Sequence, residues 1–405
     1  MAKLKVLVCP AHYLLDDRSH GSEYAWPVGL MGACAALGDV EFTAVAGAVG
    51  VGVSIPGTRV VTLGTSLPDR ESAVGLVSFV FSYTRVAVEI MRKWRPDVVH
   101  HLLPFRVGAT FNPVILAVRG RRTIVGPVQS SHAVALDDEA GVSRGDYAFQ
   151  PTRGRRWSGA TWRVVEMVAS SLSVRTLCGA DAVLAANRAG ADAVAEVSGV
   201  KASVVPFGVK ADRFEPDVRR VPVGRHHVVF LVVAYLVARK RVDDVIRAVA
   251  IVASRRRDIT LRIVGDGPER KRLSALALSL DIGSVCEFVG RVPHGRIVSE
   301  YHQADVLVSM SASETFGMSL VEAMACGLPT ISSVNDGSVG IVEDGITGHL
   351  VPVMDVDRLA RCIETYCSDR AMIGSLGRAG QARVRKYFAW DVIAPRIRRE
   401  YDAGA

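Results

Sequence analysis

Aromatic residues are scarce, at 6% of the 405 residues. The chain also lacks a helix-turn-helix, zinc-finger or RNA-binding signature. The stacking platforms and groove-reading elements of nucleic-acid binders are therefore missing, and no nucleic-acid partner is expected. The seven cysteines (Cys9, Cys34, Cys178, Cys286, Cys326, Cys362, Cys367) form no framework: they are odd in number, widely spaced, without a C-x-x-C, and mostly in apolar runs. They read as small buried hydrophobes of a reducing compartment, not as disulfides or metal ligands. Long hydrophobic runs are missing too. The longest, Val228 to Ala238 (VVFLVVAYLVA), is well short of the ~20 residues a spanning helix needs. The N-terminal MAKLKVLVCPAHYLL has neither the apolar region nor the cleavage site of a signal peptide and reads as a strand. A cytoplasmic protein is expected.

What is present is an ordinary globular balance, 49% apolar and 22% charged, with a net charge of +8 carried mostly by arginine. This length exceeds one core and implies two domains. The basic balance favours anionic partners, of which a phosphorylated ligand such as a nucleoside diphosphate asks least of scattered arginines.

Short β-branched runs alternate with longer helical patterns. The first series is KVLVC, EFTAVA, RVVTL, DVVHHL, TIVGPV, DAVLAA and SVVPF, with helical stretches such as VGLVSFVFSYTRVAVEIMRKW between them. The rhythm restarts with HHVVFLVVAYL, ITLRIVG, SVCEFVG, ADVLVSM, PTISS and GHLVP. Such alternation predicts α/β architecture, two parallel sheets covered on both faces. Between the series, VKADRFEPDVRRVPVGRHH is polar, Pro-containing and highly charged, and is the linker candidate, with the boundary near Gly208 to Arg225. In doubly wound sheets ligands sit at the carboxyl ends of strands, so functional residues are sought there.

One such place is SETFGMSLVEAMACGLPTISS (Ser313 to Ser333), a loop followed by a short helix ended by Gly327 and Pro329. With Ser319 as N-cap, amides from Gly317 to Val321 would open an anion site at the helix start. Ser319-Leu-Val-Glu322 also fits the capping box S-x-x-E, in which Glu322 folds back on the cap; locally this is as good an account of Glu322 as a ligand contact. It leaves Glu314 and the glycine loop unexplained. His100 and His101 end a strand; one is expected in the sheet packing and the other at the mouth. No third ligand stands at metal spacing, so a structural role is favoured.

The stretch resembles the E-x7-E region of the retaining family 4 glycosyltransferases, and other stretches follow in that family's order. HGSE (His20 to Glu23) resembles its N-terminal glycine loop. VVPFGVKADRF resembles IPNGVD..RF, with Phe207 and Lys210 replacing Asn and Asp, and VAYLVARKRVDDVIRA resembles VGRL...KG.D..I.A. IVGDGPERKRL and CEFVGRV resemble the next two strand ends, and FAWDVIAPRIRREY the C-terminal helix. The resemblance implies a GT-B fold: two doubly wound Rossmann-like domains with an interdomain cleft and a C-terminal helix crossing back to the N-terminal domain. It implies an acceptor-binding domain over 1–208 plus the crossing helix 388–405, and a nucleotide-sugar-binding domain over 209–387.

It also implies roles. Glu322 would hold the ribose hydroxyls and Glu314 would face the donor sugar. Phe316, Gly317, Met318 and Ser319 would offer amides to the sugar and diphosphate, and Lys240 would contact the diphosphate. Phe288, Gly290 and Arg291 would lie along the base, and Gly21 would let the N-terminal loop approach the phosphates. The family's phosphate-binding Arg falls on Tyr235, with Ala234 for its Gly; Arg239 or Arg241 would substitute, or lie on a solvent face. The family's His after the fifth strand falls on Gln129, with His132 three residues on; either would touch the transferred sugar, or both would line a loop. Asp16-Asp17, Asp137-Asp138 and Asp243-Asp244 are not the D-x-D of metal-dependent transferases, so no metal and no cofactor beyond the nucleotide-sugar co-substrate is implied. Arg153, Arg155, Arg156 and Arg163 beside Trp157 and Trp162 suit peripheral contact with an anionic inner membrane face or a phosphorylated acceptor; a surface helix with inward-packed tryptophans is the simpler account. The implied reaction is retaining transfer to a lipid, saccharide or small-molecule hydroxyl. The rivals are a nucleotide-sugar epimerase of the same fold and a non-catalytic nucleotide-sugar binder.

Overall fold

The computed structural model describes residues 3–15, 22–64, 73–102, 111–129, 170–215 and 227–403. They form two compact units: one of the described residues up to Gly208 and from Trp390 onward, the other Val209–Ala389.

The first unit is a seven-stranded parallel sheet: β1 (Leu4–Leu15), β2 (Val40–Val49), β3 (Thr58–Thr62), β4 (Val98–His101), β5 (Arg122–Val128), β6 (Ala182–Ala185) and β7 (Ser203–Val204). The spatial order is β3-β2-β1-β4-β5-β6-β7. Every strand falls on one of the β-branched runs of the first series. The helices described are α1 (Ser22–Ala35), α2 (Ala73–Trp94), α3 (Pro113–Ala117), α4 (170–179) and α5 (Arg188–Ser198). In α2, Phe79, Tyr83 and Ala87 recur every four residues and are buried, while Phe81, Arg85 and Glu89 face outward; the helical period sorts the two faces.

Both histidines of β4 are fully buried, which corrects the expectation that one reaches the mouth. Successive strand residues point to opposite faces, and this sheet is covered on both. His100 Nε2 donates to the Gly126 carbonyl at 2.8 Å, leaving Nδ1 to accept from the Tyr401 hydroxyl at 2.9 Å. His101 Nδ1 lies 3.1 Å from the Asn112 amide nitrogen. Burial pushes both imidazoles down, His100 to about 4 and His101 to about 3.

Tyr401 belongs to the C-terminal helix (Trp390–Asp402), which packs on α1 within this unit. Trp390 lies over Gly29 and Gly208, where any β-carbon would collide with its ring, and Arg398 pairs with Asp39 at 3.0 Å.

The second unit is a six-stranded parallel sheet: β8 (Val228–Val233), β9 (Ile259–Val264), β10 (Cys286–Gly290), β11 (Val306–Ser309), β12 (Thr330–Ser333) and β13 (Gly348–Val351), in the order β10-β9-β8-β11-β12-β13. It is flanked by α6 (Val242–Ala253), α7 (Arg270–Ser279), α8 (Ile297–His302), α9 (Met318–Ala325), α10 (Val356–Ser368) and α11 (Arg370–Tyr387); the helix Trp390–Asp402 is α12. The longest apolar run forms the central strand β8 and the loop that follows it, and among the described residues no helix is long and apolar enough to cross a membrane.

Two expectations need correction here. The linker candidate is not wholly free chain. Ala211–Phe214 forms a 3₁₀ turn of the second unit, with Phe214 buried against His294 and Tyr301; residues 216–226 lie outside the described residues. Cys178 is exposed, whereas the other six cysteines are buried or half-buried, and all seven are free thiols.

Candidate functional site

The second sheet reverses its strand order at β8 and β11, which lie side by side with chain running out to opposite edges. Helices leaving such a pair diverge to opposite faces and open a crevice at the carboxyl ends. Two loops emerge there. One runs from Ala234 through a 3₁₀ turn at Ala238–Lys240 into α6, and the other from Met310 to Gly317 into α9. The amide of Ala312 donates to the Arg239 carbonyl at 2.8 Å, locking the two loops together. A small recess between them is lined by Ala234, Lys240, Ser309, Met310 and Ser311.

Three charged groups converge on this junction. Lys240 Nζ forms a close ion pair with Glu314 Oε2, and Arg239 stands 4.0 Å from the same oxygen while donating to the Ser313 carbonyl at 3.2 Å. Burial alone would raise the Glu314 carboxyl, but the charges of Lys240 and then Arg239, with hydrogen bonds from Lys240 and Ser311, hold it below the usual glutamate range. Of the two arginines considered as substitutes for the missing family Arg, Arg239 faces this cluster. Arg241 instead makes a bidentate pair with buried Asp244 on its own helix, at 2.9 and 2.8 Å.

α9 starts at Gly317, which adopts a left-handed conformation (φ 95°) and offers no side-chain cap. Glycine takes this conformation without strain. The helix therefore begins at Met318, so Ser319 is not its N-cap, and the capping box does not form. Leu320 and Val321 already donate to the Gly317 carbonyl, at 3.0 and 3.4 Å, so the amides that precede any helical acceptor and point out of the helix start are those of Met318 and Ser319. Phe316 is buried in edge-on contact with Phe388, 6.2 Å between centroids.

Glu322 is only 3% exposed. Its two oxygens engage groups far upstream: Tyr301 donates its hydroxyl to Oε2 at 2.8 Å, and His294 Nε2 lies 3.0 Å from Oε1. Burial and then the Glu322 charge hold the Tyr301 phenol well above its ordinary value. Phe288 and Gly290 end β10, where Arg270 Nη2 reaches the Phe288 carbonyl at 3.4 Å; Arg291 follows directly.

The structure thus brings Glu314, Lys240 and Arg239 together and sets Phe316, Gly317, Met318 and Ser319 on the adjoining loop and helix start. Gln129 follows β5 in the first unit, and Tyr235 projects from the β8 loop, 65% exposed. Gly21, His132 and the Arg153–Arg163 tryptophan stretch lie outside the described residues. Among the described residues no cluster of His, Cys, Asp and Glu could hold a metal ion. Sequence reasoning missed Tyr301 and His294, and also Asn335, whose amide donates to the Ser311 carbonyl at 3.0 Å and steadies the β11 loop.

The comparisons with known proteins decide the family. Residues 218–383 match the model described as glycosyl transferases group 1. A D-inositol 3-phosphate glycosyltransferase of Catenulispora acidiphila is 30% identical over 321 residues, which is 75% of this chain and 72% of that protein. The chain belongs to the group 1 glycosyl transferases. Another family member, the D-inositol 3-phosphate glycosyltransferase of Kribbella flavida, is 31% identical over 208 residues, 48% of this chain. In that case the match spans about half of the relative's length, 49%. Sucrose-phosphate synthase from Thermosynechococcus elongatus has the same fold, with a TM-score of 0.75, 21% identity, and coverage of 99% of this chain and 98% of that one. The two parallel sheets are those of a GT-B glycosyltransferase.

Proposed function

We propose that this group 1 glycosyl transferase moves a hexosyl group from a nucleotide-diphosphate sugar to a hydroxyl of a lipid, saccharide or small-molecule acceptor, with retention and without a metal ion. The observation that carries this is the Lys240–Glu314–Arg239 cluster at the carboxyl ends of β8 and β11, beside the amide start of α9. As the glycosidic bond breaks, negative charge grows on the departing diphosphate. A preorganised ammonium and oriented amides stabilise that charge without reorganising. Glu314 keeps Lys240 in place and stays ionised itself.

A double displacement needs a free carboxylate nucleophile. Glu314 is tied to Lys240, and Glu322 to Tyr301 and His294. This supports a front-face route in which the leaving diphosphate takes the acceptor's proton. The donor is assigned to the second unit and the acceptor to the first, in the cytoplasm. The basic tryptophan stretch is the candidate for contact with a membrane.

The test is a panel of nucleotide sugars, with nucleoside diphosphate release followed with and without acceptors and with and without EDTA. Release by the wild type is expected to survive EDTA, and the anomeric coupling constant of the product, read by proton NMR, is expected to match the donor. Lys240→Met is expected to lose about 10²- to 10³-fold in kcat. An inverted product, or abolition by EDTA, overturns the mechanism. A second reading, a non-catalytic binder, draws on Ala234-Tyr235 standing where the family pattern has Gly-Arg; binding with no release under any donor would favour it.

A further inference from the structure

Glu322 lies inside a small buried polar assembly that no element near it in sequence supplies. Tyr301, on α8, donates to one carboxylate oxygen, and His294, in the turn before α8, stands against the other. A carboxylate only accepts, so the His294–Glu322 contact requires a proton on Nε2. The assembly is fastened from a third place. Arg213 Nη2 donates to the His294 carbonyl at 2.6 Å, and the Phe214 ring lies 6.3 Å from His294 and 6.2 Å from Tyr301. Each Glu322 oxygen keeps an acceptor position after these bonds, and with only 3% of the residue exposed the edge of the carboxylate that a ligand would meet is narrow. What that edge offers is set by the two donors behind it.

We propose that Tyr301 and His294 are positioning residues that aim the Glu322 carboxylate at the ribose hydroxyls of the nucleotide, so that discrimination between ribose and deoxyribose depends on them. This rests on the donor-binding role given to Glu322 above. Without the phenol, the carboxylate loses a charge-assisted hydrogen bond and its fixed rotamer, while the base and diphosphate contacts stay as they were. The consequence is confined to the sugar hydroxyls.

The measurement is calorimetric binding of a nucleoside diphosphate and of its 2′,3′-dideoxy counterpart to the full chain. The wild type is expected to favour the ribonucleotide. Tyr301→Phe, which keeps ring packing, is expected to reduce that preference about tenfold while dideoxynucleotide binding changes little. His294→Leu should do the same, and His294→Gln, which restores a donor, should recover part of the preference. Equal weakening towards both ligands in Tyr301→Phe means mere support of the fold and overturns the proposal, as does an unchanged ratio. A wild type that binds diphosphates without ribose preference removes the role of Glu322 itself, and one that binds no nucleotide removes the donor-site reading.

Discussion

Glu314 is a carboxylate that burial pushes towards neutrality and two cations pull back. Because its folded-state value lies below the unfolded one, the stabilisation it contributes is full above the ordinary glutamate value of about 4.3 and is lost as pH falls through the lower, folded value. Glu314→Gln removes that contribution and leaves Lys240 without its ion pair. The stability gap between wild type and Glu314→Gln is therefore expected to be widest near neutrality and to close below about pH 4, read from denaturant midpoints across pH. At this scale the sequence was only half legible. The spacing of Glu314 and Glu322, and Lys240 on the partner loop, stood out through the ordered family resemblance; on local sequence alone Glu322 reads equally as a helix cap and Lys240 as a solvated helix-start lysine. The partners of Glu322 did not stand out. They lie 21 and 28 residues upstream, and no local pattern announces a bond that closes only when α8 packs under α9. The S-x-x-E pattern offered a nearer partner, and Gly317 displaced it by starting the helix two residues early.

At the scale of elements, the runs of Val, Ile and Thr located all thirteen strands of the described residues, because a parallel sheet buried on both faces admits little else. Loops were less legible, since their shape depends on which backbone passes beside them. Gly265, after β9, is such a case. It has φ 136°, and a β-carbon there would lie 1.8 Å from the Ala234 carbonyl oxygen, in the loop that carries Lys240. Gly265→Ala is expected to cost at least about 2 kcal/mol, from backbone strain plus the collision. Because relief requires moving the Ala234 loop, kcat is expected to fall as well. Equilibrium unfolding and steady-state kinetics on one preparation check both; lost stability with unchanged turnover at saturating substrate would mean that the loop absorbs the shift elsewhere.

At the scale of the whole molecule, the chain leaves the first unit after Gly208 and re-enters it at Trp390. Re-entry is held by α12, whose Tyr401 completes the His100 hydrogen bonds and packs edge-on against Phe42 at 6.4 Å. The FAWDVIAPRIRREY stretch was legible as a helix and, through the family resemblance, as one that returns. Its buried partners on β4 and β2 were not, because nothing in DVVHH says which helix covers it. Tyr401→Phe leaves His100 Nδ1 without its donor in a dry interior, and is expected to cost about 1–3 kcal/mol of stability while the nucleotide binding proposed for the second unit is unchanged.

The two passages of the chain also run together. The Val209 amide donates to the Phe388 carbonyl at 2.8 Å, and Val209 bridges to Ala389 in parallel. Topologically, then, residues 209–389 are one continuous insert whose two ends emerge as neighbours. Such a segment can be excised as a single gene fragment without cutting a strand or helix of its sheet. Expressed alone, it is expected to fold cooperatively and to retain nucleotide affinity while producing no glycoside. Its first and last residues are also close enough for a short loop to join them, so the excised segment can itself be circularly permuted.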